Sequence, residues 1–239
     1  MSMSLTIAGL QKMTLLDYPG HVACTVFLQG CNFRCPFCHN SDLLPGSGEP
    51  FMTVEEFLDF LKKRTGLLDA VCVSGGEPTL HKELPDFLRD IKALGFKVKL
   101  DTNGFRPDIL KNLTVAGLVD YVAMDVKNSP ASYGQTVGLS QPNMERIEES
   151  LRYLMSGAVD YELRTTVVSE LHNDQTMEEM GKWLSSLLPG KKPAKLFLQC
   201  FVDRESVLSN GLTPPTEEQL QQYTAILTSY IDFVTVRGT

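Results

Sequence analysis

Three cysteines stand close together in Gly30-Cys31-Asn32-Phe33-Arg34-Cys35-Pro36-Phe37-Cys38-His39-Asn40, spaced C-x3-C-x2-C. Thiols this dense form a metal-ligand pattern rather than core filling. A closed zinc site, or an iron–sulfur cluster held by protein alone, takes four ligands, so three leave one coordination position open. In a cubane cluster that position is an iron able to take a small molecule, which makes the site catalytic rather than structural. A Cys3His zinc site completed by His39 is the competing reading, at an awkward geometry because His39 directly follows Cys38.

Such ligands need elements to position them. Apolar runs read as short buried strands at Val22–Leu28, Ala70–Ser74, Lys97–Asp101, Tyr121–Asp125, Tyr161–Val168 and Lys195–Cys200, with Phe233–Val236 as a closing strand. Helices are expected over Val54–Lys63, Glu83–Leu94, Pro107–Leu113, Asn143–Met155 and Thr176–Leu187, with a last one opened by Thr216. Thr53 with Glu56, Thr176 with Glu179 and Thr216 with Gln219 read as capping boxes. Gly95 suits a left-handed helix C-terminus. Pro45–Pro50 reads as a Pro/Gly/Ser-rich loop, and Ser129–Pro142 as a polar loop, either a lid or a mobile link. Strand–helix alternation repeated six times implies a parallel sheet covered by helices, because a parallel crossover needs a helix-sized connection. A single domain is expected over 1–239, residues 1–21 being an extension that leads into the first strand.

Polar or special residues recur just past the carboxyl ends of successive strands: Cys31, then Gly75-Gly76-Glu77, then Asp101-Thr102-Asn103-Gly104, then Asp125 and Lys127. Each alone is ordinary turn chemistry. Four in register converge on the edge where parallel α/β proteins build their sites. The net charge of −7, from 22 Lys+Arg against 29 Asp+Glu, supplies no basic footprint for nucleic acid. A free small molecule or a protein partner fits better. No stretch reaches the roughly 20 apolar residues of a membrane span. Met1–Leu10 lacks the basic flank and apolar run of a secretory leader, so the expected compartment is the cytoplasm, where thiols stay reduced.

The cysteine motif, with the aromatic Phe37 before its last cysteine, resembles the signature of radical S-adenosylmethionine (SAM) enzymes, and the resemblance covers essentially the whole chain. Gly75-Gly76-Glu77-Pro78 is similar to the family's GGEP motif. Asp17-Tyr18-Pro19-Gly20, Cys38-His39-Asn40, Asp101-Thr102-Asn103-Gly104 and Asp125-Val126-Lys127 resemble segments of the glycyl-radical-enzyme activases. They are most similar to the activating proteins of anaerobic ribonucleoside-triphosphate reductase, although His21 stands where other activases carry Arg or Lys. The resemblance implies an α/β fold: a partial (open) TIM-like (β/α)6 barrel with parallel strands and a side gap for a protein substrate.

It also implies one [4Fe-4S] cluster on Cys31, Cys35 and Cys38, with SAM chelated to the open iron. Phe37 is then placed against the adenine, and Gly75, Gly76 and Glu77 at the amino group. Asp101 and Asn103 belong to a cation site or cofactor pocket, and Asp125 with Lys127 to the carboxylate end. Arg164 either meets the same carboxylate or pairs with an acid at the core edge; Gln199 is a weaker candidate for the adenosine. No catalytic side chain beyond the cluster ligands is implied. In the family's reaction, one electron cleaves SAM to methionine and a 5′-deoxyadenosyl radical, which removes a hydrogen from a glycine of a partner enzyme. A flavodoxin or ferredoxin is the implied electron donor.

No cysteine lies between Cys38 and Cys72 or after Cys200, so no ferredoxin-like insert and no C-terminal cluster domain is expected. Cys24 and Cys72 fall within apolar strands and read as core, while Cys200 sits at a strand end with either role open to it. His172 reads as solvated, Trp183 as core, and Glu145, Glu148 and Glu149 as a solvated face near a helix start. Two other functions stay in view. One is a radical SAM enzyme acting on a small metabolite, in the manner of 7-carboxy-7-deazaguanine synthase; the other is a zinc-binding module without catalysis.

Overall fold

The computed structural model describes residues 5–44 and 50–237, so the loop expected at Pro45–Pro50 lies, apart from Pro50, outside the described residues. The chain forms two compact units. The first comprises residues up to Asn32, Asp42–Thr102 and Arg106–Ala123. In it β1 (Ile7–Thr14) runs antiparallel to β2 (Ala23–Leu28), which pairs in parallel with β3 (Ala70–Gly75), and β3 in turn with β4 (Lys97–Thr102). Consecutive residues Ala23, Cys24, Thr25 and Val26 are all buried, as are Ala70 to Val73, so these strands are covered on both faces. The expected core roles of Cys24 and Cys72 hold: both are fully buried.

The crossovers are α1 (Val54–Lys62), α2 (Leu84–Ala93) and α3 (Pro107–Val115). The Thr53–Glu56 capping box forms as read: the Glu56 N–H donates to Thr53 Oγ1 (3.1 Å) and the Thr53 N–H to Glu56 Oε2 (2.8 Å). Residues 1–21 do more than lead into a strand. Ile7–Thr14 is itself a strand, with exposed Gln11, Lys12 and Met13, whose mixed pattern conceals it from periodicity. The Asp17-Tyr18-Pro19-Gly20 segment then turns the chain: Asp17 accepts from Thr25 Oγ1 (2.5 Å), and buried Tyr18 packs on Tyr121, ring centroids 5.6 Å apart.

The second unit comprises Phe33–Ser41, Asn103–Phe105 and the chain from Met124 onward; β5 (Tyr121–Asp125) begins in the first unit and ends in this one. Here β6 (Asp160–Val167), β7 (Lys195–Cys200) and β8 (Phe233–Arg237) pair in parallel. Helices α4 (Pro130–Val137), α5 (Met144–Met155), α6 (Asp174–Ser186) and α7 (Glu217–Thr228) connect them. Most of Ser129–Pro142 is therefore helix rather than the expected polar loop. Pro130 starts α4 with its φ already set for a helix, and Gly138 ends it in the left-handed conformation (φ 68°).

The start of α6 also differs from expectation. Its N-cap is Asn173, which exchanges hydrogen bonds with Thr176, both 3.0 Å; Glu179 instead accepts from Ser129 and Gln175. Trp183 is half-buried rather than core, and its indole N–H donates to Glu148 (3.0 Å), which also takes Arg152. Glu148 is thus a partner residue, not a merely solvated one. Among the described residues the sheet has eight strands in chain order, β1 to β8, with those two at the edges, the open and mostly parallel α/β arrangement expected.

Candidate active site

In the first unit, two glycines bring the end of β3 against the segment that leads to Cys31. Gly75 has φ 119°, and a Cβ there would lie 2.3 Å from the Leu28 carbonyl oxygen; a Cβ on Gly76 would lie 2.0 Å from that of Gly30. Only glycine permits this approach. It is closed by hydrogen bonds from the Gly76 N–H to Leu28 O (2.9 Å) and from the Glu77 N–H to Gly30 O (2.8 Å). The backbone just before Cys31 and the Gly-Gly-Glu turn are therefore one assembly. Cys31 itself is half-buried.

The Glu77 carboxylate is fully buried. Its Oε1 accepts from the Thr79 N–H (3.1 Å), the Thr79 hydroxyl and the Thr102 hydroxyl (2.8 Å), which fixes the side chain between β3 and β4. Asp101 is held in the same way: Ser74 donates to Oδ2 (3.0 Å) and Lys99 to Oδ1 (2.5 Å). Lys99 is buried and also reaches Cys72 Sγ at 3.8 Å. The sequence gives no sign that Lys99 points inward, because one charged residue in a short apolar strand reads as an outward-facing position.

In the second unit the cysteine loop is gripped from two sides. The Arg34 N–H donates to Val137 O (2.9 Å) at the end of α4, where a Cβ on Gly138 would lie 2.3 Å from Arg34 O. From the segment after β7, the Ser209 N–H donates to Pro36 O (3.0 Å) and Ser206 Oγ to His39 O (2.8 Å). The His39 ring stacks on Phe201 (5.4 Å) and its Nε2 bonds Val202 O (2.7 Å). That Nε2 must carry the proton, since a carbonyl only accepts. This bond fixes the ring and its tautomer, with Nδ1 as the nitrogen that keeps its lone pair. Between these grips the Cys38 N–H donates to Cys35 O (3.1 Å).

Lys127 and Phe37 meet beside the loop, the ammonium 5.9 Å from the ring centroid. Lys127 Nζ donates to Asp125 Oδ2 (2.8 Å), and Arg164 Nε to Oδ1 (3.0 Å). Of the two roles open to Arg164, the structure thus brings out the pairing with an acid. Burial works against the Lys127 charge, yet Asp125 and the Cys35 thiol outweigh it and hold the ammonium protonated. Burial pushes the Cys35 thiol up to about 11, while Lys127 pulls it down and Cys38 pushes it up. Two thiols that repel as anions, beside a fixed cation, suit a ligand set that a metal centre would neutralise. Among the described residues no three His, Cys, Asp or Glu side chains are gathered as a ready-made metal set. Cys35 and Cys38 belong to the second unit, Cys31 to the first.

His172 corrects another expectation: it is buried, not solvated. Its Nε2 meets Lys127 O at 3.0 Å and so carries the proton, leaving Nδ1 to accept the Val168 N–H (3.1 Å). Burial lowers its pKa, so the ring is neutral. Asn128 adds donations to Thr136 Oγ1 (3.0 Å) and Leu171 O (2.8 Å). Lys127 is thus set on a braced backbone. Asn103 is buried, and its Oδ1 accepts the Phe105 N–H (3.0 Å) in a tight turn. Cys200 is half-buried, its Sγ 3.5 Å from Phe201 O, and burial raises its pKa. Gln199, also half-buried, precedes it at the end of β7.

The profile of the Radical SAM superfamily matches residues 25–184, which include the cysteine loop, the Gly-Gly-Glu turn and Lys127. The chain belongs to the radical SAM superfamily. It is 32% identical to a protein of Methanocaldococcus jannaschii named "Putative glycyl-radical enzyme activating enzyme", over 98% of this chain and 97% of that one. It is 29% identical to the pyruvate formate-lyase 1-activating enzyme of Escherichia coli, over 96% of this chain and 98% of the other. Among solved structures, a radical SAM methyltransferase from Sphaerobacter thermophilus shares the fold at a TM-score of 0.72 and 18% identity, over 94% of this chain and 68% of that one. The radical SAM chain is an enzyme, and relatives matched over nearly its full length are named activases.

Proposed function

We propose that this radical SAM enzyme is an activase that installs a glycyl radical on a partner enzyme. The observation that carries the reading is similarity along almost the whole chain to two proteins named as glycyl-radical or pyruvate formate-lyase activating enzymes. In this reading Cys31, Cys35 and Cys38 hold one [4Fe-4S] cluster, which leaves an iron for SAM. Such a cluster supplies the electron that splits SAM into methionine and a 5′-deoxyadenosyl radical, and that radical takes a hydrogen atom from the partner's glycine.

The chain's own residues bind and orient. Lys127, kept cationic by Asp125, faces the cofactor carboxylate; Arg164 holds Asp125 in place from its other side. Glu77 offers a buried, pre-oriented acceptor for the amino group, and Gly75 and Gly76 keep the backbone thin beside it. Phe37 gives the adenine an apolar wall. Asp101 and Asn103 shape the remaining pocket, with Asp101 held by Ser74 and Lys99.

For the partner, the motif resemblance supports anaerobic ribonucleoside-triphosphate reductase, while the names of relatives add pyruvate formate-lyase to the candidates. A flavodoxin or ferredoxin is the proposed donor, in the cytoplasm. The test is anaerobic reconstitution with iron and sulfide, then SAM, a reductant and each purified partner, read by electron paramagnetic resonance. A glycyl radical on one partner is the expected outcome; a colourless zinc protein would refute the reading. Cys35→Ala is expected to lose both the cluster and SAM cleavage. A second reading, turnover of a small metabolite, draws on 38% identity to the 7-carboxy-7-deazaguanine synthase of Aquifex aeolicus, but over only 32% of this chain. Consumption of a pterin-like substrate, with no radical on any partner, would favour it.

A further inference from the structure

The motif resemblance leaves Asp101 two roles, in a cation site or in the cofactor pocket, and its neighbours in the first unit bear on the choice. Register sets Thr25, Cys72 and Lys99 side by side on β2, β3 and β4. Residues two apart on a strand share a face, so Phe27, Ser74 and Asp101 follow on the same side. Lys99 lies in this layer with its side chain 1% exposed. Its ammonium reaches along β4 to Asp101 Oδ1 (2.5 Å) and across to Cys72 Sγ (3.8 Å), while Asp101 Oδ2 accepts from Ser74 (3.0 Å). Burying an ammonium is costly unless an opposite charge meets it. An unbranched apolar side chain would fill the row without that cost, so what position 99 supplies is the charge.

Asp101 thus finds a positive partner within its own strand. A metal cation on the same carboxylate would sit beside a buried ammonium, where repulsion is little screened. The residues present therefore do not fit a free cation at Asp101. We propose that the Lys99 ammonium is the built-in counter-cation of Asp101, in place of the metal ion that the resemblance allows, and that it fixes the carboxylate at the end of β4. Lys99 is then a positioning residue that acts through Asp101. Its effect on SAM rests on the reading that Asp101 lines the cofactor pocket; the pairing itself does not.

The test removes the charge and offers it back. Wild type and Lys99→Met are compared in potassium, ammonium and tetramethylammonium chloride at equal ionic strength, the last cation being too large to enter the site. Thermal unfolding of the cofactor-free proteins is the first readout. Lys99→Met is expected to melt below wild type in tetramethylammonium, and the gap to narrow in potassium or ammonium; an equal gap in all three salts overturns the inference. The second readout is 5′-deoxyadenosine formation by the reconstituted proteins. Wild type is expected to form it equally in the three salts, whereas Lys99→Met loses up to about a hundredfold, the scale of a misplaced positioning group, and recovers with the small cations. A several-fold gain by wild type on adding potassium overturns the inference. A wild type that cleaves no SAM in any salt refutes the proposed function, and the melting gap still decides the pairing. Should Lys99→Met fold in none of the salts, the wild-type response to potassium decides: independence upholds the inference and a several-fold gain overturns it.

Discussion

Replacing His172 with alanine removes both ring hydrogen bonds at once. The Lys127 carbonyl loses its donor and the Val168 N–H its acceptor, and both groups lie in the interior. An unsatisfied buried backbone group costs about 1–3 kcal/mol, so the two together cost about 2–5 kcal/mol, allowing for some rescue by water in the space left behind. A second, independent signature lies in pH. Burial holds the folded pKa of His172 below the ordinary value of 6.5. The unfolded chain therefore takes up a proton that the fold refuses, and wild-type stability falls as pH drops below about 6.5, by at most about 1.4 kcal/mol per pH unit, until the folded form titrates as well. His39, whose pKa burial also lowers, contributes the same sign in both proteins and cancels in the comparison. Urea unfolding of both proteins between about pH 8 and about pH 5.5 measures the two quantities. His172→Ala is expected to be less stable at high pH and to show a shallower loss toward low pH. Equal slopes, or an imidazole resonance titrating at the ordinary position in the folded protein, would refute the assignment of a neutral buried ring.

Gly138→Ala forces a side chain into the left-handed region, at a cost of about 1–2 kcal/mol, and drives its Cβ into the Arg34 carbonyl; thermal unfolding is expected at lower temperature, and chelators should strip iron from the reconstituted protein several-fold faster. Gly76→Ala meets the Gly30 carbonyl and displaces the backbone before Cys31; reconstituted iron content, measured against the wild type, should fall well below stoichiometric. Asn173→Ala removes the α6 cap, lowering stability by about 1 kcal/mol in denaturant melts, while SAM cleavage by the reconstituted protein stays unchanged.

Elements with a strong local code were legible in the sequence. The strands at Ala23–Leu28, Ala70–Gly75 and Tyr121–Asp125 announce themselves because covering both faces demands nearly continuous apolar runs, and Thr53 and Thr216 open their helices where their own side chains can cap them. The Asn173 cap was missed because Thr176 and Glu179 offered an equally good local pattern three residues later. The competition was decided by Glu179 bonding Ser129, a contact 50 residues away. β1 escaped notice because its alternation is broken by Gly9 and Lys12. In the candidate site the ligand types are readable, since cysteine spacing and strand-end glycines are local. What braces them is not: the inward turn of Lys99, the burial of His172 and the pairing of Arg164 with Asp125 each depend on which neighbouring strand or loop arrives opposite. That information is held in the tertiary arrangement rather than in any window of sequence.

The grip on the cysteine loop carries a consequence for biosynthesis. His39 is tied to Val202 and Ser206, residues 163 and 167 positions further along the chain. At about 5–20 residues per second of translation, the loop leaves the ribosome roughly 10–30 seconds before the segment that closes on it exists. During that interval only the α4 side of the grip, at Val137, can form, and a metal or an oxidant can reach the three thiols of the motif on an unfinished chain. In the proposed reading, iron and sulfide would therefore best be delivered after release, once the segment that closes on the loop is in place.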